Sequence, residues 1–190
     1  MGTKGWAALW LSLLVVACCS CASNEESGKS DAGRVYSRYN LHYFSKRGAN
    51  IASYANYTDC PNHAFLPYNT AFKVGSWRGG FKLRAADTGL VILFEYKTAG
   101  MRGMSVEDYI RLILSPSPVT YEGSSEVDRQ GIQAGKAMVG MSKEGVKIAL
   151  GYPAVHQTSS LEENRWVYWK GRLNTLVVNF GDNGKVGSIK

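Results

Sequence analysis

Four cysteines and three histidines are the side chains of this 190-residue chain best suited to covalent or acid–base chemistry. A thiolate is a nucleophile and metal ligand, and an imidazole is a base near neutral pH. The histidines are His42, His63 and His156. No His-x-x-x-His pair occurs, and no cysteine–histidine spacing fits zinc. Glu162-Glu163 stands in a polar loop and reads as solvated charge. Gly79-Gly80 lacks the Gly-Lys-Ser/Thr step of a phosphate loop. These residues assemble no catalytic site, so the expectation is a non-enzyme. No metal, no cofactor and no small-molecule substrate is implied.

The cysteines point elsewhere. Lys4 gives a short positive start, and residues 6–17 are then apolar except for Ser12. About a dozen residues are too few to cross a hydrocarbon core of roughly 30 Å as a helix. They suit the apolar region of a signal peptide, residues 1–17. The stretch ends Val15-Val16-Ala17-Cys18, which resembles the bacterial lipobox, with Val15 where leucine is more usual. The resemblance implies that the Cys18 thiol carries a lipid and becomes the new N-terminus. Cys19, not aspartate, follows it, which by similarity to enteric sorting implies the outer membrane, facing the periplasm. The alternative is ordinary cleavage after Ala22 and a secreted or periplasmic soluble protein. With Cys18 lipidated, three cysteines remain, and an odd number cannot all pair internally. In an oxidising compartment Cys60 could form a disulfide with Cys19 or Cys21. It could equally be a small buried or unpaired thiol.

The elements that must position any site follow from patterning. Residues 18–33 are polar and Gly-rich, a flexible tether. Residues 34–119 read as a strand-rich module with one terminal helix. Tyr39, Leu41 and Tyr43 alternate with Asn40, His42 and Phe44. Gly79-Gly80 and Asp87-Thr88-Gly89 mark hairpin turns, the second before a strand at Leu90–Tyr96. The strand spacing and the Leu66-Pro67-Tyr68-Asn69-Thr70 step are similar to bacterial SH3-like barrels, so a small barrel or sheet is expected. Ser105 caps a helix over residues 105–115, with Asp108 in the capping-box position, and Pro116 and Pro118 end it. Residues 120–130 read as a polar loop or linker.

The last sixty residues carry the sharpest punctuation. Ser142 is a helix N-cap, and Val146, Ala149 and Leu150 share one face. Gly151 and Pro153 stop the helix. Strands follow at 165–170, 173–180 and 185–189, with a turn at Gly181-Asp182-Asn183-Gly184. The run Gly140-Met141-Ser142-Lys143, Val146, Leu150-Gly151, Pro153, then Trp166, Tyr168, Val178, Phe180 and Asn183-Gly184-Lys185-Val186, resembles the BamE family, also called SmpA/OmlA. These are small outer-membrane lipoproteins of the barrel-assembly machinery. The resemblance covers residues 131–190 and implies an α+β domain, one or two helices on a three-stranded antiparallel sheet. Residues 19–130 separate it from the lipid, whereas family members place the fold soon after the anchor. The same fold also serves β-lactamase inhibitor proteins, so it does not fix a partner.

Aromatic residues on the first of these strands are the candidate partner contacts. Trp166 and Tyr168 share a face, and Trp169 points oppositely. Arg165, Lys170 and Arg172 frame them. Charge is uneven: residues 34–115 hold 11 basic against 5 acidic side chains, residues 116–190 hold 9 against 7. A basic surface beside anionic headgroups or an acidic partner is favourable, and nucleic acid is not expected outside the cytoplasm. The overall expectation is a non-catalytic envelope lipoprotein, held to the membrane by its N-terminal lipid. It would bind another envelope protein, with the barrel-assembly machinery the named candidate. Alternatives are a cell-wall glycan-binding module and an inhibitor-type protein of the same fold.

Overall fold

The computed structural model describes Gly2 and residues 33–190 other than 123 and 172. The described chain is mixed α+β, with three α-helices, an eight-stranded curled sheet and a three-stranded antiparallel sheet. No described helix is long and apolar enough to cross a membrane. Apart from Gly2, the expected signal peptide, Cys18, Cys19, Cys21 and all of the expected tether but Gly33 lie outside the described residues.

The large sheet is built from β1 (Val35–Ser37), β2 (Leu41–Lys46), β3 (Ala49–Ser53), β4 (His63–Leu66), β5 (Ala71–Trp77), β6 (Gly80–Ala85), β7 (Val91–Glu95) and β8 (Leu114–Ser115). Their order is β4-β2-β3-β7-β6-β5-β1-β8. Every pairing is antiparallel except β3 with β7. Period-two alternation gives the sheet an inner face. Leu41, Ala52, Phe72, Phe81, Leu83, Ile92 and Phe94 point inward and are buried. Helix α1 (Val106–Ile113) covers them with Tyr109 and Ile113. Ser105 accepts the Asp108 amide, as its position predicts. Phe81 and Phe94 stack at 4.6 Å between centroids across the β6–β7 pair.

A second apolar cluster lies between two helices and the small sheet. These are α2 (Glu126–Ala134), α3 (Lys143–Leu150), β9 (Arg165–Trp169), β10 (Thr175–Phe180) and β11 (Val186–Ile189), with sheet order β11-β10-β9. Helix α2 begins inside residues 120–130, which patterning reads as loop. Its first turn is held by a complete capping box between Ser125 and Asp128.

Asp128 does more than cap its own helix. It is 1% exposed. Oδ2 accepts from the Ser125 amide and hydroxyl, and Oδ1 accepts from the Ser142 amide at 2.7 Å and the Ser142 hydroxyl at 3.1 Å. One carboxylate therefore sits at the positive N-terminal ends of both α2 and α3, where the helix dipoles favour an anion. Burial pushes its pKa up, but the bonds from Ser142 and Ser125 outweigh burial and hold the carboxyl below the usual range.

The other end of α3 is closed by the large sheet. The last four carbonyls of an α-helix lack partners within the helix. Here Lys147 O accepts from the Gly151 amide, and Ile148 O accepts from the Asn40 amide. Ala149 O accepts from His42 Nε2 at 2.7 Å, and Leu150 O accepts from Asn56 Nδ2 at 2.6 Å. Asn40 Nδ2 also donates to Ile132 O of α2 at 2.6 Å, while its Oδ1 accepts the Tyr68 amide. Asn40, His42 and Asn56 are 1, 2 and 5% exposed. The two apolar clusters thus meet along a polar seam whose bonds are satisfied. Gly151 is required there. Its φ is +79°, and a Cβ would strike Asn56 Nδ2 and the Tyr39 ring.

Candidate functional site

The aromatic strand lies in the interior. Trp166 and Tyr168 do share a face, but they are 1 and 0% exposed, under α3. The Tyr168 hydroxyl donates to Gly151 O at 3.0 Å. Val167, on the opposite face of β9, is 2% exposed, so both faces of the strand are covered. Trp166 and Tyr168 are core residues and offer no surface to a partner. Trp169 is half-buried and stacks on His156. Arg165 is exposed, and Arg172 lies outside the described residues.

The two edges of the small sheet differ. The outer edge of β9 is occupied: Thr58 and Asp59 amides donate to Trp169 O and Lys170 O, and the Val167 amide donates to Thr158 Oγ1. The outer edge of β11 is covered only at its start. There the Val186 amide donates to Met141 O, and Val186 O accepts from the Gly140 amide. Further along, Val177 and Lys190 exchange both backbone hydrogen bonds. In an antiparallel ladder such pairs alternate with non-bonded ones. Ile189, opposite Val178, is therefore a non-bonded position. Its N–H and C=O point away from β10, and no partner for them exists among the described residues. Burial of β9 was not legible from period two, which says that two residues share a face but not what covers it. The β11 edge could be inferred from its place as the last strand of a meander.

The histidines converge in part. His42 Nδ1 and His63 Nε2 are 2.8 Å apart, with the rings stacked at 5.0 Å. Ala149 O can only accept, so His42 Nε2 carries the proton and His42 Nδ1 accepts from His63 Nε2–H. Burial, opposed by the Ala149 bond and assisted by His63, lowers the His42 pKa to about 4. Burial also lowers that of His63, with Asp59 opposing and Lys136 assisting. His42 has both nitrogens committed inside the fold and is a neutral structural imidazole. Alternation alone places it on the polar side of β2. The approach of α3, which buries it, leaves no local signal.

Cys60 is half-buried and is a free thiol among the described residues. Burial pushes the thiol upward, its own backbone opposes this, and Asp59 adds to it. A raised thiol is a poor nucleophile at neutral pH. It lines a cavity of about 550 Å³ with Phe44, Ile51, Tyr57 and the loop carrying Lys170 and Leu173. Among the described residues, no cluster of three or more His, Cys, Asp or Glu side chains could hold a metal ion.

No family model, curated protein or solved structure matches the chain.

Proposed function

We propose that this chain is a non-catalytic envelope lipoprotein, lipidated at Cys18 in the outer membrane, that captures another envelope protein by strand addition to β11. The outward N–H and C=O of Ile189 support this reading. An open sheet edge is a ready template for an extended segment, with main-chain bonds supplying affinity. The α2, α3, β9–β11 order and the Gly140–Pro153 motif favour a BamE-like arrangement and hence a component of the barrel-assembly machinery as partner. The titratable groups add support of a different kind: His42 is committed to Ala149 and His63, and Asp128 to two helix N-termini.

The test is affinity capture from envelopes with the membrane-embedded protein and its Ile189→Pro variant. Proline lacks an N–H and fits an edge strand. At position 189 it removes an outward donor and the Ile189 side chain that packs against the second apolar cluster, and it leaves the Val177–Lys190 pair intact, so capture is compared per folded molecule, with the folded fraction read from the unfolding midpoint. Recovery of a barrel-assembly component by the wild type and its loss from the variant are expected. Recovery of no such component sinks the named partner, and equal recovery by both chains sinks the edge as its site.

A further inference from the structure

The face of the eight-stranded sheet turned away from its own core meets α3 at His42 and beyond it carries apolar residues, where an outer face is usually polar. Cross-strand register sets Phe44, Ile51, Leu93 and Lys82 side by side on β2, β3, β7 and β6. Their chain neighbours Ala52, Phe94, Phe81 and Leu83 point the other way, into the core. Phe44, Ile51 and Leu93 are half-buried, and none belongs to either hydrophobic cluster. Strands lie about 4.8 Å apart, so this apolar stripe runs for roughly 14 Å from Phe44 to Lys82.

The two ends of the stripe differ in shape and charge. At the Phe44 end it enters the cavity of about 550 Å³, whose far wall is the loop carrying Lys170 and Leu173. That volume lies within the roughly 300–1,000 Å³ of small-molecule sites. Tyr57 stands edge-on to Phe44, with centroids 6.0 Å apart. Leu173 is 92% exposed at the rim, a large apolar side chain left in water. Among the described lining residues of the cavity, Lys46 and Lys170 are matched by Asp59 and Glu95. The other end is cationic. Lys82 is exposed, and one rung away Lys73 stands directly opposite Arg84, both exposed. Like charges in that position destabilise a sheet. Among the described residues none of the three makes an ion pair; the pairs are Arg111–Asp108, Arg129–Glu126 and Lys147–Glu144.

We propose that this face binds one molecule of an anionic single-chain amphiphile, with its tail along Leu93, Ile51 and Phe44 into the cavity and its head on Lys82, Arg84 and Lys73. The order of the face matches such a ligand in sequence: cationic group, apolar stripe, half-open cavity. A bilayer surface fits less well, because Lys170, Gly171, Leu173 and Asn174 line the apolar end, where a chain can enter and a plane cannot. This site is separate from the β11 edge and does not rest on the protein-binding reading.

The experiment is calorimetric titration of the full-length chain carrying Cys18→Ser, which removes the proposed site of covalent lipid, with sodium laurate below its micelle concentration. Saturable one-to-one binding is expected. Lys82→Glu should weaken it at least tenfold, and Ile51→Asp should abolish it. Uncharged dodecanol should bind at least tenfold more weakly than laurate. Lys82 faces solvent, so Lys82→Glu should keep the wild-type unfolding midpoint and so report on the site even if Ile51→Asp fails to fold. Absence of saturable binding, unchanged binding in Lys82→Glu, or binding to phosphatidylglycerol vesicles without binding of monomeric laurate would each overturn the proposal.

Discussion

Replacing His42 by glutamine should abolish a specific acid sensitivity of the fold. Glutamine Nε2 can take the place of imidazole Nε2 as donor to Ala149 O, so the α3 terminus stays capped while the titrating ring is lost. In the wild type the folded imidazole titrates at about 4, against an ordinary value of 6.5. The folded pKa is the lower one, so between these values the unfolded chain binds more protons than the folded chain. Stability is then fully present above pH 6.5 and falls as the pH drops toward 4. One pKa unit corresponds to about 1.4 kcal/mol, so the full loss is about 3 kcal/mol. A loss of that size is a large part of the 5–15 kcal/mol that holds a typical domain together. Protonated His42 would also turn its Nδ1 proton toward the His63 Nε2 proton, which works in the same direction. The assay is urea unfolding followed by tryptophan fluorescence at several pH values from 7.5 to 4. The wild type should lose about 3 kcal/mol more than His42→Gln across that range. Parallel curves for the two proteins would refute the assignment of His42 as a buried neutral donor.

Other substitutions read the remaining joints. Asp128→Asn places a donor against amides and hydroxyls that already donate to both oxygens, and should cost about 2–4 kcal/mol in urea unfolding at pH 7. Its contribution has a separate pH window: the carboxyl is held low, so that stability persists until the pH falls below the ordinary aspartate range and is lost on further acidification. Asn56→Ala leaves the Leu150 carbonyl buried without its side-chain donor and should lower stability by about 1–3 kcal/mol, read as a fall in the urea midpoint at unchanged slope. Trp166→Ala opens a cavity beneath α3 and should cost about 3–5 kcal/mol. Because that ring is interior, partner capture by Trp166→Ala should decline only in step with its folded fraction, as measured by near-ultraviolet circular dichroism.

Local signals carried part of this structure. Ser105 and Ser142 cap α1 and α3 where their spacing places them, and the turns at Gly79-Gly80 and Asp87-Thr88-Gly89 join the strands expected of them. Helix α2 escaped because its stripe is thin. Val127 and Ile132 are its only large apolar residues, and its stability comes from the Ser125–Asp128 box and from Gly131 packing beneath Met141. The seam escaped for another reason. Asn40, His42 and Asn56 are ordinary polar residues of strands and turns until α3 brings its carbonyls to them. The solvent-face stripe does have a trace in the sequence: Tyr43-Phe44, Ile51-Ala52 and Leu93-Phe94 are consecutive apolar pairs, which place apolar groups on both faces of one strand.

In the proposed function the anchor would be part of the mechanism, since a lipid on Cys18 would fix which partners can reach β11. The most direct measurement is hydrogen exchange at the Ile189 amide in the free protein and in the complex captured from envelopes. Added strand pairing should slow exchange at Ile189 upon capture while the Val177 and Lys190 amides, each already donating to the other residue's carbonyl, change little. Exchange at Ile189 as fast in the complex as in the free protein would contradict strand addition at this edge.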